Sequence, residues 1–151
     1  MRAIIQRVKH ASVTVDEFIT GKINQGLLVL IGFEAEEAQE DFDWMIKKIT
    51  QLRIFNDVEG VMNLSLQDIK GELLVVSQFT LHANSKKGNR PSYIRAAKPD
   101  VAIPYYEKFI KEIQQASITE VQTGSFGADM QVELLNDGPV TIILDSKQKD
   151  I

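Results

Sequence analysis

The stretch AIIQRVKHASVTVDEFITGKINQGLLVLI, residues 3–31, decides the fold class. Ala3–Val8 and Ser12–Val15 are rich in β-branched residues, and Val13 and Val15 alternate with polar neighbours, the period of a half-covered strand. Ile19–Ile23 and Leu27–Ile31 continue in the same character. Between them Asn24-Gln25-Gly26 has turn chemistry, with Gly26 available for a positive φ. The expectation is a small antiparallel start with a hairpin at residues 24–26.

Further along, the period changes. Phe42, Met45, Ile46, Ile49 and Leu52 recur at three- and four-residue spacing between Glu40 and Ile54, with Lys47 and Lys48 opposite, which predicts an amphipathic helix. Its acidic approach (Glu34, Glu36, Glu37, Glu40, Asp41, Asp43) suits the positive end of a helix dipole and reads as a solvated helix start. Asn56–Gly60 is a turn, and Leu73–Val76 is a continuous apolar run, the pattern of a strand covered on both faces. A second helix is predicted over Val101–Gln115, with Ala102, Tyr105, Tyr106, Phe109, Ile110 and Ile113 on its apolar face and Pro104 in its first turn. Ile118–Val121, Met130–Leu134 and Val140–Leu144 read as further strands, about seven in all. Strands clustered at both ends around two helices argue for α+β layering rather than βαβ units.

Composition narrows the chemistry. At 151 residues, 44% apolar and 25% charged, the chain is sized and composed for one globular domain, not a disordered tail or a fibre. It has no cysteine, which excludes disulfides, thiolate zinc sites and cysteine nucleophiles. Its two histidines, His10 and His82, lie far apart without H-x-x-H spacing, so no resident metal and no cofactor are expected. Neither the opening residues nor the longest apolar run, Leu27–Ile31, suits a secretory signal or the ~20 residues of a membrane span.

Charge is uneven. From Leu73 to Pro99 there is no acidic residue, while Lys86, Lys87, Arg90, Arg95 and Lys98 are basic; the remaining 12 basic residues face all 21 acids. Asn84–Pro91 has the composition of a solvated loop, and equally of a segment facing the phosphates of a polyanion. Directly before it, Ser77-Gln78-Phe79-Thr80-Leu81 ends a predicted strand, where free backbone N–H groups beside two hydroxyls and an amide form a candidate oxyanion cradle. His82 is the one nearby base; in an extended chain it points the same way as Thr80. Gly138-Pro139 interrupts two strand runs and is either a plain turn or a place for a cis bond. Gly124–Met130 is glycine-rich but has neither Walker nor Rossmann spacing.

These motifs in this order, S-Q-F-T-L at 77–81, G-S-F-G-A-D-M at 124–130 and N-D-G-P-V at 136–140, together with the opening M-R-A-I-I-Q-R-V-K-H-A-S-V-T-V, resemble the D-aminoacyl-tRNA deacylase family over essentially the whole chain. With the strand pattern, the resemblance implies an α+β fold, a mostly antiparallel β-barrel-like sheet packed with two main helices, in a single domain over residues 1–151. It implies a cytoplasmic homodimer acting on aminoacyl-tRNA. The reaction is hydrolysis of the ester that joins a D-amino acid, or glycine mischarged on tRNA-Ala, to the terminal adenosine. Ser77, Gln78, Phe79 and Thr80 would line the ester pocket. Gly138 and Pro139, braced by Arg7, would enter the partner subunit's pocket and exclude L side chains. Phe126, Gly127 and Met130 would hold the adenosine, and Lys86, Lys87, Arg90 and Arg95 the tRNA backbone. No base for Thr80 is evident, so attack by water aided by the substrate's ribose hydroxyl, with Thr80 positional, is expected. The competing class is a non-catalytic nucleic-acid-binding module using the same basic segment.

Overall fold

The computed structural model describes residues 1–151, and its long first strand, β1 (Arg2–Val15), organises everything else. The first half of β1 pairs antiparallel with β3 (Gly26–Gly32) and the second half with β2 (Phe18–Ile23). Its other edge pairs antiparallel with β8 (Gln131–Asp145), with irregular register between Gln6 and His10. The runs read as two strands, Ala3–Val8 and Ser12–Val15, are therefore one. The expected hairpin does not form, because β2 and β3 each pair with β1 and not with each other. Gly26 serves close approach rather than a positive φ: a Cβ there would lie 1.9 Å from the carbonyl oxygen of Glu72.

After β3 the chain forms α1 (Gln39–Gln51) and a small hairpin of β4 (Phe55–Asn56) and β5 (Met62–Leu64), then returns as β6 (Glu72–Ser77) parallel to β3. A 3-10 turn, Phe79–His82, leads on to α2 (Pro99–Ala116), and β7 (Val121–Thr123) then pairs parallel with β6. The sheet is thus mixed, not mostly antiparallel, and both helical connections are βαβ crossovers, contrary to the expectation from strand clustering. The continuous apolar runs of β3 and β6 are the trace of this arrangement, since a parallel pair buried on both faces has no polar side to alternate with.

Side chains on the two faces enter different cores. Leu27, Val29, Ile31, Leu73 and Val75 meet Phe42, Met45, Ile49, Phe109 and Ile113 of the helices. Leu28, Leu74 and Val76 point the other way, onto Val8, Val13 and Ile23 inside the curled sheet. Each fully buried Leu, Ile or Phe contributes on the order of 1.5–3 kcal/mol by leaving water. β2 and β7 nearly close the barrel: at Gly21 a Cβ would come within 2.5 Å of the Thr123 carbonyl oxygen. The α+β class, the barrel-like form and the two helices stand as expected.

Element limits differ in informative ways. α1 ends at Gln51 because Leu52 is extended (φ −58°, ψ 129°) and the carbonyl of Ile54 is taken by Arg7. α2 begins at Pro99, which places Pro104 inside the helix rather than in its first turn. The backbone acceptor it leaves unpaired lies toward the exposed Ile103–Pro104 face, where water can satisfy it. The last strand on the way back to β6 is Val121–Thr123, not Ile118–Val121. β8 ends beside the start of α1: the Met1 ammonium binds Glu37 (2.7 Å) and Ser146 Oγ (2.9 Å), and Lys147 binds Asp41. Burial alone would raise the Asp41 carboxyl, but Lys147 and the Ala38 N–H hold it down to about 2.

Candidate active site

A cavity of about 590 Å³ opens where the C-terminal ends of the parallel strands β3 and β6 meet the N-terminus of α2. Ser77, Gln78 and Phe79 line one side, and Phe126, Gly127 and Met130 line another, so two segments far apart in sequence converge there. Thr80 joins the first group through a hydrogen bond from the Gln78 amide to its hydroxyl. Behind Phe126 stands Tyr106, ring to ring at 5.7 Å, its hydroxyl donating to the Val75 carbonyl at 2.9 Å. Burial pushes the Tyr106 phenol well above its usual range, so it remains a neutral donor tying α2 to β6 behind Phe126.

The segment predicted as an extended strand end is a 3-10 turn instead. Its first internal bond runs from the Leu81 N–H to the Gln78 carbonyl (3.4 Å), so the N–H groups of Phe79 and Thr80 have no partner within the turn. The turn also separates His82 from Thr80. His82 is buried with neither ring nitrogen hydrogen-bonded, and its Nδ1 lies 3.8 Å from Glu34 Oε1. Burial pushes the imidazole down, so it is neutral at neutral pH. It is not a base for Thr80, and the i, i+2 expectation fails because the backbone there is helical, not extended.

Lys86, Lys87 and Arg90 gather, with Asn84 and Ser92, around a second concavity of about 420 Å³. Paired backbone bonds between Asn84 and Ser92 (2.8 and 2.9 Å) close this loop at its base. Arg95 stands apart: its guanidinium donates to Glu34 at 2.8 and 2.9 Å, so one acid of the supposedly solvated helix approach neutralises it.

Gly138 and Pro139 lie within β8, are exposed and are joined by a cis peptide bond; neither lines the cavity of its own chain. The buried Arg7 holds the segment before them, donating from Nε to the Asp137 carbonyl (2.8 Å) and from Nη1 to the Ile54 carbonyl (2.7 Å) and Asn56 Oδ1 (3.3 Å). Asn136 adds a brace from the other side by accepting the Val140 N–H at 2.8 Å. Arg7 and the glycine-proline pair are thus together, but away from Phe79 and Thr80.

Several lining residues escaped the sequence reading: Tyr93, Lys98 and Ala102 at the α2 side, and Asp129, the one carboxylate at the rim. Tyr93 packs edge-to-face on Phe79 with ring centroids 5.2 Å apart. An aromatic residue immediately after a basic loop was the available signal for it. Ala102 had none, since an alanine on an apolar helix face looks like any core alanine.

A family model described as D-Tyr-tRNA(Tyr) deacylase matches residues 4–145. The chain is 60% identical over 150 residues to a D-aminoacyl-tRNA deacylase of Parabacteroides distasonis, covering 99% of this chain and 100% of that protein. It is equally similar, at 60% over the same shares, to one of Flavobacterium johnsoniae. Among solved structures, one titled c-Myc DNA Unwinding Element Binding Protein superposes with a TM-score of 0.91 at 39% identity, covering 96% of this chain and 98% of that one. Another, titled as a structural analysis of a probable eukaryotic D-amino acid tRNA deacylase, shares the fold at 18% identity, with a TM-score of 0.81 over 95% and 97% of the two chains. No helix is long and apolar enough to cross a membrane.

Proposed function

The chain belongs to the D-Tyr-tRNA(Tyr) deacylase family, and from that membership we propose that it hydrolyses the ester of D-aminoacyl-tRNA, releasing a free D-amino acid and tRNA. The observation that carries this reading is the convergence of Ser77–Phe79 and the Phe126–Met130 segment on one cavity. The terminal adenosine packs on Phe126 and Met130 beside Gly127, and the ester carbonyl points at the N–H groups of Phe79 and Thr80. As water adds to the carbonyl carbon, these donors meet the developing oxyanion, where one such donor is typically worth ~2.7–4 kcal/mol of barrier. The ribose hydroxyl next to the ester relays the water's proton to the departing ribose oxygen. Gln78 and Thr80 hold the turn in shape, and no covalent intermediate forms.

Selection against L substrates follows from a second copy of the chain. Gly138 and Pro139 of one subunit enter the cavity of the other, and their main-chain oxygens leave room for hydrogen but not for an L side chain on Cα. The reading is supported by a segment that is exposed, firmly braced by Arg7 and Asn136, and unused by its own cavity. Glycine has no side chain to exclude, so glycyl-tRNA-Ala is a substrate too. Lys86, Lys87 and Arg90 take the phosphates of the tRNA, with Arg95 available only when Glu34 releases it. The work is done in the cytoplasm, where aminoacyl-tRNA is found.

The 39%-identical structure titled as a DNA-unwinding-element-binding protein favours one other reading, a nucleic-acid-binding module without catalysis. One experiment separates the two: the purified protein is incubated with D-aminoacyl-, glycyl- and L-aminoacyl-tRNA, and free amino acid is measured. Release from the first two and not the third is expected; binding without release would overturn the enzyme reading.

A further inference from the structure

The basic concavity and the cavity that takes the adenosine are neighbours, and they meet at one peptide bond. Ser92 is the last residue lining the former and Tyr93 the first of its segment to line the latter. Tyr93 is held on both sides. Before it, the Asn84 and Ser92 backbones exchange two hydrogen bonds, and after it the Ala96 N–H donates to the Tyr93 carbonyl at 3.0 Å. Its ring rests on Phe79 and remains 39% exposed. An exposed aromatic ring at the exit of a cationic groove is the usual means of gripping an unpaired base, because every base has a face to stack. The backbone beneath the ring is already held, so less freedom is left to lose on binding.

We propose that Tyr93 is the stacking platform for the nucleotide that precedes the terminal adenosine, so that the single-stranded 3′ end passes from Lys86, Lys87 and Arg90 across Tyr93 into the cavity. This rests on the deacylase reading above and adds a subsite to it. The three cations lie in a concavity that no carboxylate lines, so the phosphates approach from that side. A strand entering from there reaches Tyr93 before it reaches Phe126 and Met130. The base carried at that point is the penultimate one, and its phosphate stays beside the cations.

The test compares three substrates: D-aminoacyl-tRNA, the D-aminoacyl ester of a cytidine-cytidine-adenosine trinucleotide, and the D-aminoacyl ester of adenosine alone. For Tyr93→Leu, KM is expected to rise about 5- to 150-fold more on the first two than on the third, the span of one base–aromatic stack. Tyr93→Phe, which keeps the ring, should restore the wild-type KM. A loss of the same size on all three substrates would assign Tyr93 to the adenosine or the amino acid and overturn the proposal, as would no loss on any. If the wild-type protein hydrolyses none of the three, the deacylase reading itself fails and takes the subsite with it. A far-UV circular dichroism spectrum and a melting temperature close to wild type report that Tyr93→Leu is folded, independently of its activity.

Discussion

Replacing Arg7 by methionine should both destabilise the protein and blunt its choice between D and L substrates. Arg7 is 6% exposed, and its guanidinium donates to two main-chain carbonyls, Asp137 at 2.8 Å and Ile54 at 2.7 Å, with a longer bond to Asn56. Methionine keeps an unbranched stem but is shorter and donates nothing, so those acceptors lose their partners. A buried acceptor left unpaired costs ~1–3 kcal/mol, and the Asp137 side, being half-buried, lies at the lower end because water can reach it. Removing the buried charge returns part of the loss, since its own desolvation no longer has to be offset. The net expectation is ~3 kcal/mol, which for 151 residues at ~2.1 cal/mol/K each lowers Tm by about 9 °C. Calorimetry measures this directly. The same bonds fix the backbone that enters Gly138, so kcat/KM for D over L aminoacyl-tRNA should fall at least about ten-fold, 1.4 kcal/mol of lost exclusion. Arg7→Lys, with one donor group in place of the fork, should fall between the two. A melting temperature within a degree of wild type would refute the energetic reasoning. A large drop in stability with an unchanged D/L ratio would refute the claim that Arg7 positions the selective element.

Other consequences are open to measurement. Thr80→Val keeps the side chain's size and branching but removes the hydroxyl that Gln78 bonds; kcat should fall less than about ten-fold, whereas loss of a true nucleophile costs ~10³-fold or more. Changing Lys86, Lys87 and Arg90 together to alanine should reduce the slope of log KM against log salt by about 2, at ~0.7 per single-strand phosphate contact, without changing kcat on the adenosine ester. His82 is buried neutral, with its folded value below the ordinary 6.5, so the unfolded chain binds more protons below that pH. Stability attributable to it is complete above about pH 6.5 and is lost as the pH falls. His82→Leu should flatten that acid-side decline in urea titrations, and a decline as steep as wild type would refute the assignment to His82.

The residues that were legible early share a property: their chemistry is local. The helix of Phe42, Met45 and Ile49 repeats at the helical period, and the motif at Ser77–Thr80 carries its hydroxyls and amide side by side. Gly138-Pro139 is conspicuous because proline is rare inside a strand run. Tyr93 and Glu34 were not legible for the opposite reason. Tyr93 matters because its neighbour in space is Phe79, and Glu34 because it neutralises Arg95 and faces His82. Periodicity carries no trace of such pairings.

The same division holds for the fold. Alternation, helical spacing and the apolar runs determined by themselves that the chain forms strands at both ends and two amphipathic helices, because these are single-residue preferences for one buried face. Which strands pair was decided only in three dimensions. β2 and β3 were set to form a hairpin by their turn residues, yet both choose β1, whose long edge offers each of them a partner and leaves the second edge of β3 free to pair with β6. The parallel β3–β6 pair then brings Gln78 beside Ile31, N–H to carbonyl at 2.7 Å, and opens the cavity at the ends of these strands. A pairing between strands some 40 residues apart depends on the area each arrangement buries, a sum over the whole molecule that no stretch of sequence contains.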